Sequence, residues 1–224
     1  LHLFFYPDVR PSEFKRYFFF VQNFMSPHPP YFPEAWSLSI EEWFYLICPM
    51  LLFLVIRLIK LSVQNAVLII AVIILIGSTA YRFGLYQSLD EISHTDWASL
   101  FRKQVVPRLD SLMYGVLAAY WHRFGRASWN KLKTIALCIG IGLFVLIKVL
   151  YQTDLIATHS LYHAVFSFSL SALATALLIP YLSQWRKASG FISRVITWIS
   201  LFSYSLYLIN LSLVQNFMVR RVDW

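Results

Sequence analysis

The chain has 224 residues, 58% hydrophobic and only 13% charged, with a formal net charge of +8. A soluble domain carries about a quarter charged residues, so this composition excludes a water-coated globule. The long unbroken apolar runs exclude a barrel of short alternating strands. The basic excess does not point to nucleic acid, because Lys and Arg cluster briefly between apolar runs, as in loops held at an anionic membrane surface. The fold class expected is all-α, a polytopic transmembrane helix bundle of about six to seven membrane segments, forming a single domain over residues 1–224.

In chain order, Leu1 to Tyr6 reads as the tail of an earlier apolar segment, closed by Pro7-Asp8, so the domain is expected to be incomplete at its N-terminus. The run Tyr17 to Met25 is short for a span, which needs ~20 residues, and is expected as a tilted or partly re-entrant helix with Gln22 and Asn23 near its end. Ser26 to Glu34 contains Pro27, Pro29, Pro30 and Pro33. Proline fixes φ and supplies no donor, so this loop is stiff and extended.

The stretch Trp36-Ser37-Leu38-Ser39-Ile40-Glu41-Glu42-Trp43-Phe44-Tyr45 then opens a helix expected over 37–60. Ser37 suits the N-cap, and a helix dipole favours Glu41 and Glu42 in the opening turns. Ser37, Glu41, Tyr45 and Cys48 share one helix face. A carboxylate buried in a membrane helix costs roughly 2.5–3.5 kcal/mol on insertion scales, which marks a site. Glu41 can accept a proton or hold a substrate hydroxyl; alternatively, it fixes packing by pairing with an arginine such as Arg108.

Further spans are expected over 64–83, 107–122, 134–151, 159–183 and 195–218. The loop from 83 to 106 is long enough to be functional or partly helical. Alternating spans place Arg57, Lys60, Arg123, Arg126, Lys131, Lys133, Arg186, Lys187 and Arg194 on one side, with the N-terminal Arg10, Lys15 and Arg16. Arg82, Arg102, Lys103, Arg220 and Arg221 fall on the other. The larger set is assigned to the cytoplasm. Seven tryptophans near span ends, Trp36, Trp43, Trp97, Trp121, Trp129, Trp185 and Trp198, read as an interfacial belt. Cys48 and Cys138 read as buried small hydrophobes.

Three more polar constellations stand out. Arg108 and Asp110 are two apart, so each must find its partner on another helix; Gly115, Ala118 and Ala119 follow as a face for close helix contact. His159, His163, Ser167, Ser171 and Thr175 recur every fourth residue. Two histidines so spaced can share a metal, but no third ligand is supplied, so no metal site is expected and polar glue between helices, or a wet helix end, is the simpler reading. Ser203, Tyr207 and Asn210 form a narrow polar stripe.

Three of these motifs together resemble the acyltransferase-3 family of membrane acyltransferases, which includes bacterial polysaccharide and lipopolysaccharide O-acetyltransferases. They are Gln22-Asn23-Phe24 with the stretch Trp36 to Leu46, Arg108-Leu109-Asp110-Ser111-Leu112 with Gly115, and Ser203-Tyr204-Ser205-Leu206-Tyr207-Leu208. The resemblance covers the C-terminal two-thirds of such a protein and implies a fold of about ten membrane helices in the bacterial inner membrane. It implies transfer of an acyl group, often acetyl from acyl-CoA as donor substrate, to a hydroxyl of a glycan or lipid-linked sugar, with membrane lipids as surroundings and no bound cofactor. Within the chain, Glu41, Glu42 and Arg108 are the expected catalytic residues. Asn23, Trp36, Ser37, Tyr45, Asp110, Ser203, Tyr207 and Asn210 are the expected substrate-binding ones. Family members often carry His where this chain has Asn210, and they place an Arg and a His on a first helix that this sequence does not include. A flippase for a lipid-linked sugar would share the intramembrane charges, but no internal repeat supports one; an inactive fragment of the acyltransferase is the other alternative.

Overall fold

The computed structural model describes residues 11–29, 32, 34–152, 160–184 and 190–209. Among these, every regular element is helical: α1 (Pro11–Phe18), α2 (Ala35–Ile59), α3 (Val63–Gln87), α4 (His94–Asp96), α5 (Leu109–Phe124), α6 (Arg126–Gln152), α7 (Ser167–Leu182) and α8 (Phe191–Ile209). A π-helical turn, Trp97–Arg102, extends α4; a 3-10 turn, Val106–Arg108, leads into α5; a second π-helical turn, Tyr162–Phe166, leads into α7. Among the described residues, four segments are long and apolar enough to cross a membrane: Ala35–Ile59, Val63–Gln87, Arg126–Tyr151 and Tyr162–Leu182. α5, expected as a span, has 16 residues, fewer than the ~20 of a full crossing.

The run Tyr17 to Met25 is not the expected helix. α1 stops at Phe18 because Phe20 adopts φ 54°, a left-handed conformation that a helix cannot propagate. The Val21 amide bonds the Arg16 carbonyl at 2.9 Å and the Phe20 amide bonds the Tyr17 carbonyl at 3.2 Å. These are the paired bonds of a Schellman end, with phenylalanine in the usual glycine position. The turn delivers Gln22 and Asn23 into the protein interior, where both are fully buried.

α2 begins at Ala35 with Glu34 at the N-cap, two residues before the expected Ser37. Its buried face is Ala35, Ser39, Ile40 and Phe44, a helical stripe. Phe44 joins Ile70, Ala71 and Ile74 of α3 and Met113 of α5 in the central core, with Cys48 half-buried at its edge. Cys138, by contrast, is exposed.

α6 and α7 make the most extensive helix contact. Its closest approach is at Gly140, where an added Cβ would lie 2.9 Å from the Ala174 carbonyl oxygen. The expected close contact at Gly115 is not made: a Cβ there would meet nothing within 4 Å.

The segment between α3 and α5 is partly helical, as its length allowed. Ser93 and Asp96 form a reciprocal capping box at the start of α4. Ile92 and Phe101 then pack with Ala164, Val165 and Phe168 in a second core. Trp97 takes part in this packing. It stacks on His163 (4.6 Å between centroids) and on Phe168 (5.3 Å), and its indole N–H donates to the His163 carbonyl. Trp129 is also buried, and Trp185 lies outside the described residues.

Candidate functional site

A buried charge network ties α3, α5 and α7 together. Arg82, one turn after Ser78 on the inner face of α3, is fully buried. Its Nη1 and Nη2 donate to Asp110 Oδ1 (3.0 Å) and Oδ2 (2.8 Å). Nη2 also donates to Thr79 Oγ1 (3.2 Å) and Ser169 Oγ (2.7 Å), and Nη1 to the Pro107 carbonyl. The Ser169 hydroxyl passes its own proton to Asp110 Oδ2 at 2.6 Å. Both charged side chains have 0% exposure, so the fork-on-carboxylate geometry and the hydroxyls must offset a desolvation penalty of several kcal/mol per ion. Arg82, counted from sequence as a loop cation, is an interior residue. Asp110, expected to bind substrate, is fully engaged by the protein.

Arg108 has a different environment. It ends the 3-10 turn before α5, and its guanidinium lies 4.4 Å from the centre of the Phe168 ring. Its Nε is buried without an acceptor among the described residues. Burial pulls its pKa down to about 10, Asp110 opposing, with Arg82 and Arg102 adding to the lowering. It therefore stays cationic at neutral pH. Arg108 forms one end of a cavity of about 360 Å³ between α5 and α7, walled by Ser111, Leu112, Gly115, Phe168, Ser171, Ala172, Thr175, Ala176 and Ile179. The hydroxyls here bond within their own helix: Ser167 to the His163 carbonyl, Ser171 to that of Ser167 and Thr175 to that of Ser171. They do not join neighbouring helices as expected, and His159 lies outside the described residues.

The start of α2 is held from three directions. Gln22 donates to Ser39 Oγ and the Ala35 carbonyl. Asn23 Nδ2 donates to the Trp36 carbonyl (3.0 Å) and the Lys103 carbonyl, and its own carbonyl accepts from the Val105 amide. Thus Asn23, expected to bind substrate, clamps α2 to the 88–106 segment. The Trp36 ring sits 5.7 Å from the Arg102 guanidinium. From α8, Tyr207 donates to the Glu34 carbonyl at 3.2 Å. With its one proton used, it accepts from Ser37 Oγ at 2.8 Å. Ser37 and Tyr207, assigned together from sequence, do meet. Ser203 is exposed and bonds the Ser200 carbonyl of its own helix. Asn210 lies outside the described residues.

This bracing presents Glu41 and Glu42 at the surface. Both are exposed, not buried as expected. They flank the Ile40–Phe44 stripe, so neither enters the packed seam. Among the described residues the ion pair is Arg82–Asp110; Glu41 does not pair with Arg108. Glu42 lines a groove of about 590 Å³ with Phe19, Phe20, Val21, Trp43 and Leu46. The Trp43 indole N–H is fixed by the Phe20 carbonyl at 2.9 Å and its ring packs on Phe24. Tyr45 is 62% exposed. The expected catalytic trio therefore does not share one cavity: Glu42 belongs to the α1–α2 groove and Arg108 to the α5–α7 cavity. Sequence reasoning missed Arg82, Ser169 and Phe168. An arginine four residues after Ser78 in an uncharged helix was the signal available for the first.

Four membrane-length helices around a buried ion pair, with aromatic-walled grooves beside exposed carboxylates, define a helical integral membrane protein with polar sites in its bundle. The chain belongs to the acyltransferase-3 family: the family's model, described as an acyltransferase domain, matches residues 1–224. No curated protein and no solved structure matches it.

Proposed function

We propose that this membrane acyltransferase moves an acetyl group from acetyl-CoA to a hydroxyl of a cell-envelope glycan or lipid-linked sugar at the bacterial inner membrane. The observation that carries this reading is the family match along the whole chain. The braced α2 start supports it, because a rigid frame that leaves carboxylates accessible suits a site more than a packing role. Forming the ester requires that the acceptor hydroxyl lose its proton, that its oxygen attack the thioester carbonyl, and that the CoA thiolate depart and be protonated. Glu42, at the lip of the aromatic-walled groove, holds the acceptor hydroxyl or orients the group that deprotonates it; Glu41 is the second choice. Phe19, Phe20 and Trp43 offer faces on which a sugar ring packs. Arg108 supplies a cation for an anionic part of a substrate.

The test is reconstitution of the whole protein with radiolabelled acetyl-CoA and envelope glycan. Base-labile label on the glycan is expected. Absence of label, or movement of a lipid-linked sugar across the bilayer without acylation, would overturn the reading in favour of an inactive domain or a flippase.

A further inference from the structure

The Arg108 cavity does not end at Gly115. A second cavity of about 270 Å³, bounded by Ala118, Ala119, His122, Trp129 and Ser183, shares Gly115 and Ile179 with the first. Together they trace the α5–α7 seam from Arg108 to His122, ~20 Å at 1.5 Å per residue. One leaflet of hydrocarbon is ~15 Å deep, so the groove is long enough for a single membrane acyl chain together with its head group. Its walls are mostly apolar, and among the described residues its one charged lining residue is Arg108. The nearby Asp110 does not neutralise that charge, because Asp110 is already paired with Arg82. A desolvated guanidinium whose Nε lacks an acceptor favours an anion with several oxygens.

We infer that the α5–α7 groove binds a phosphate-headed amphiphile, with the phosphate at Arg108 and one hydrocarbon chain running past Gly115 toward His122. This deepens the role given to Arg108 above. It rests on that reading only for the anion's place in transfer, not for binding itself. The chemistry is shared by anionic phospholipids of the bilayer and by polyprenyl-phosphate carriers.

The full chain, held in nanodiscs of phosphatidylglycerol and phosphatidylcholine in equal amounts, is moved into lipid-free detergent, and retained lipid is counted by native mass spectrometry. A parallel sample contains a polyprenyl phosphate. Wild type is expected to retain phosphate-headed anionic lipid over phosphatidylcholine by about tenfold, the worth of one charge-assisted contact. Gly115→Leu, whose side chain enters open space, should abolish retention of both lipids. Arg108→Gln should remove the preference and leave the weaker chain binding. Gly142→Leu, also in open space but on α6 away from the groove, should change nothing. Preference for phosphatidylglycerol or for the polyprenyl phosphate supports the inference equally and says which source supplies the ligand. Equal retention of anionic and zwitterionic lipid by wild type, or full retention by Gly115→Leu, would overturn it. Because the readout is binding, lipid retention without acyl transfer would remove the acyltransferase reading and keep this one, whereas acetyl transfer by a wild-type protein that retains no anionic lipid would do the reverse.

Discussion

Two acidic regions of this molecule solve the same problem in opposite ways. Asp110 is fully buried and receives an arginine fork and a serine hydroxyl. Glu41 and Glu42 sit off the packing seam of α2 and remain exposed. A carboxylate committed to several donors and sealed from solvent stabilises helix packing but is out of a substrate's reach. A carboxylate left accessible adds little to stability and keeps its chemistry. On the function proposed above, the first region is structural and the second is the working one, although the sequence marks both as ionisable residues within apolar surroundings.

The comparison is broken most severely by removing one partner of the buried pair. Arg82→Met or Asp110→Leu alone should destabilise by about 3–5 kcal/mol, since each strands a buried charge. The double replacement should recover part of that loss, as read by melting in detergent. Next in size is Gly140→Ala, which pushes a methyl against the Ala174 carbonyl; a cost of about 1–3 kcal/mol is expected, whereas Gly115→Ala, mid-helix with open space for its methyl, should stabilise by about 0.5–1 kcal/mol. Asn23→Ala removes both side-chain bonds of the clamp and should cost about 1–2 kcal/mol. Hydrogen exchange should then rise at the start of α2 and in the 103–105 segment.

A smaller effect concerns pH. His28, in the proline-rich loop, has its pKa lowered from 6.5 to about 4, chiefly by burial; its bond to the Pro29 carbonyl opposes this, Lys103 adds to the lowering and Glu34 opposes it. The unfolded chain therefore binds a proton between pH 6.5 and about 4 while the folded chain does not. Stability should be complete above pH 6.5 and fall as pH drops toward 4. In His28→Phe, melting followed across this range should lose that part of the pH dependence.

The helical membrane class was legible from composition and run length, because both follow from the bilayer's demand for internally satisfied backbone. The need of Asp110 for a partner beyond Arg108 was legible from their spacing of two; that the partner is Arg82 was not, since it depends on how α3 and α5 cross. Ser37 and Tyr207 were each expected from the resemblance to bind substrate, but their hydrogen bond to one another was not legible, since it depends on how α8 docks on the start of α2. Gly115 and Gly140 look alike in sequence, yet one borders a void and the other a tight crossing. Which role a small residue plays is set by the opposing helix. The exposure of Glu41 and Glu42 was misread because the buried stripe of α2 runs through Ser39, Ile40 and Phe44, a phase that the all-round apolar sequence of the helix conceals.

The division between a structural and a working carboxylate is tested most directly by measuring acetyl transfer and melting together on Glu42→Gln and Glu41→Gln. Glu42→Gln should lose transfer by about 10–100-fold, the worth of a hydrogen bond to a charged group, while melting as wild type does. Wild-type transfer by both variants, or a large drop in melting temperature for either, would contradict it.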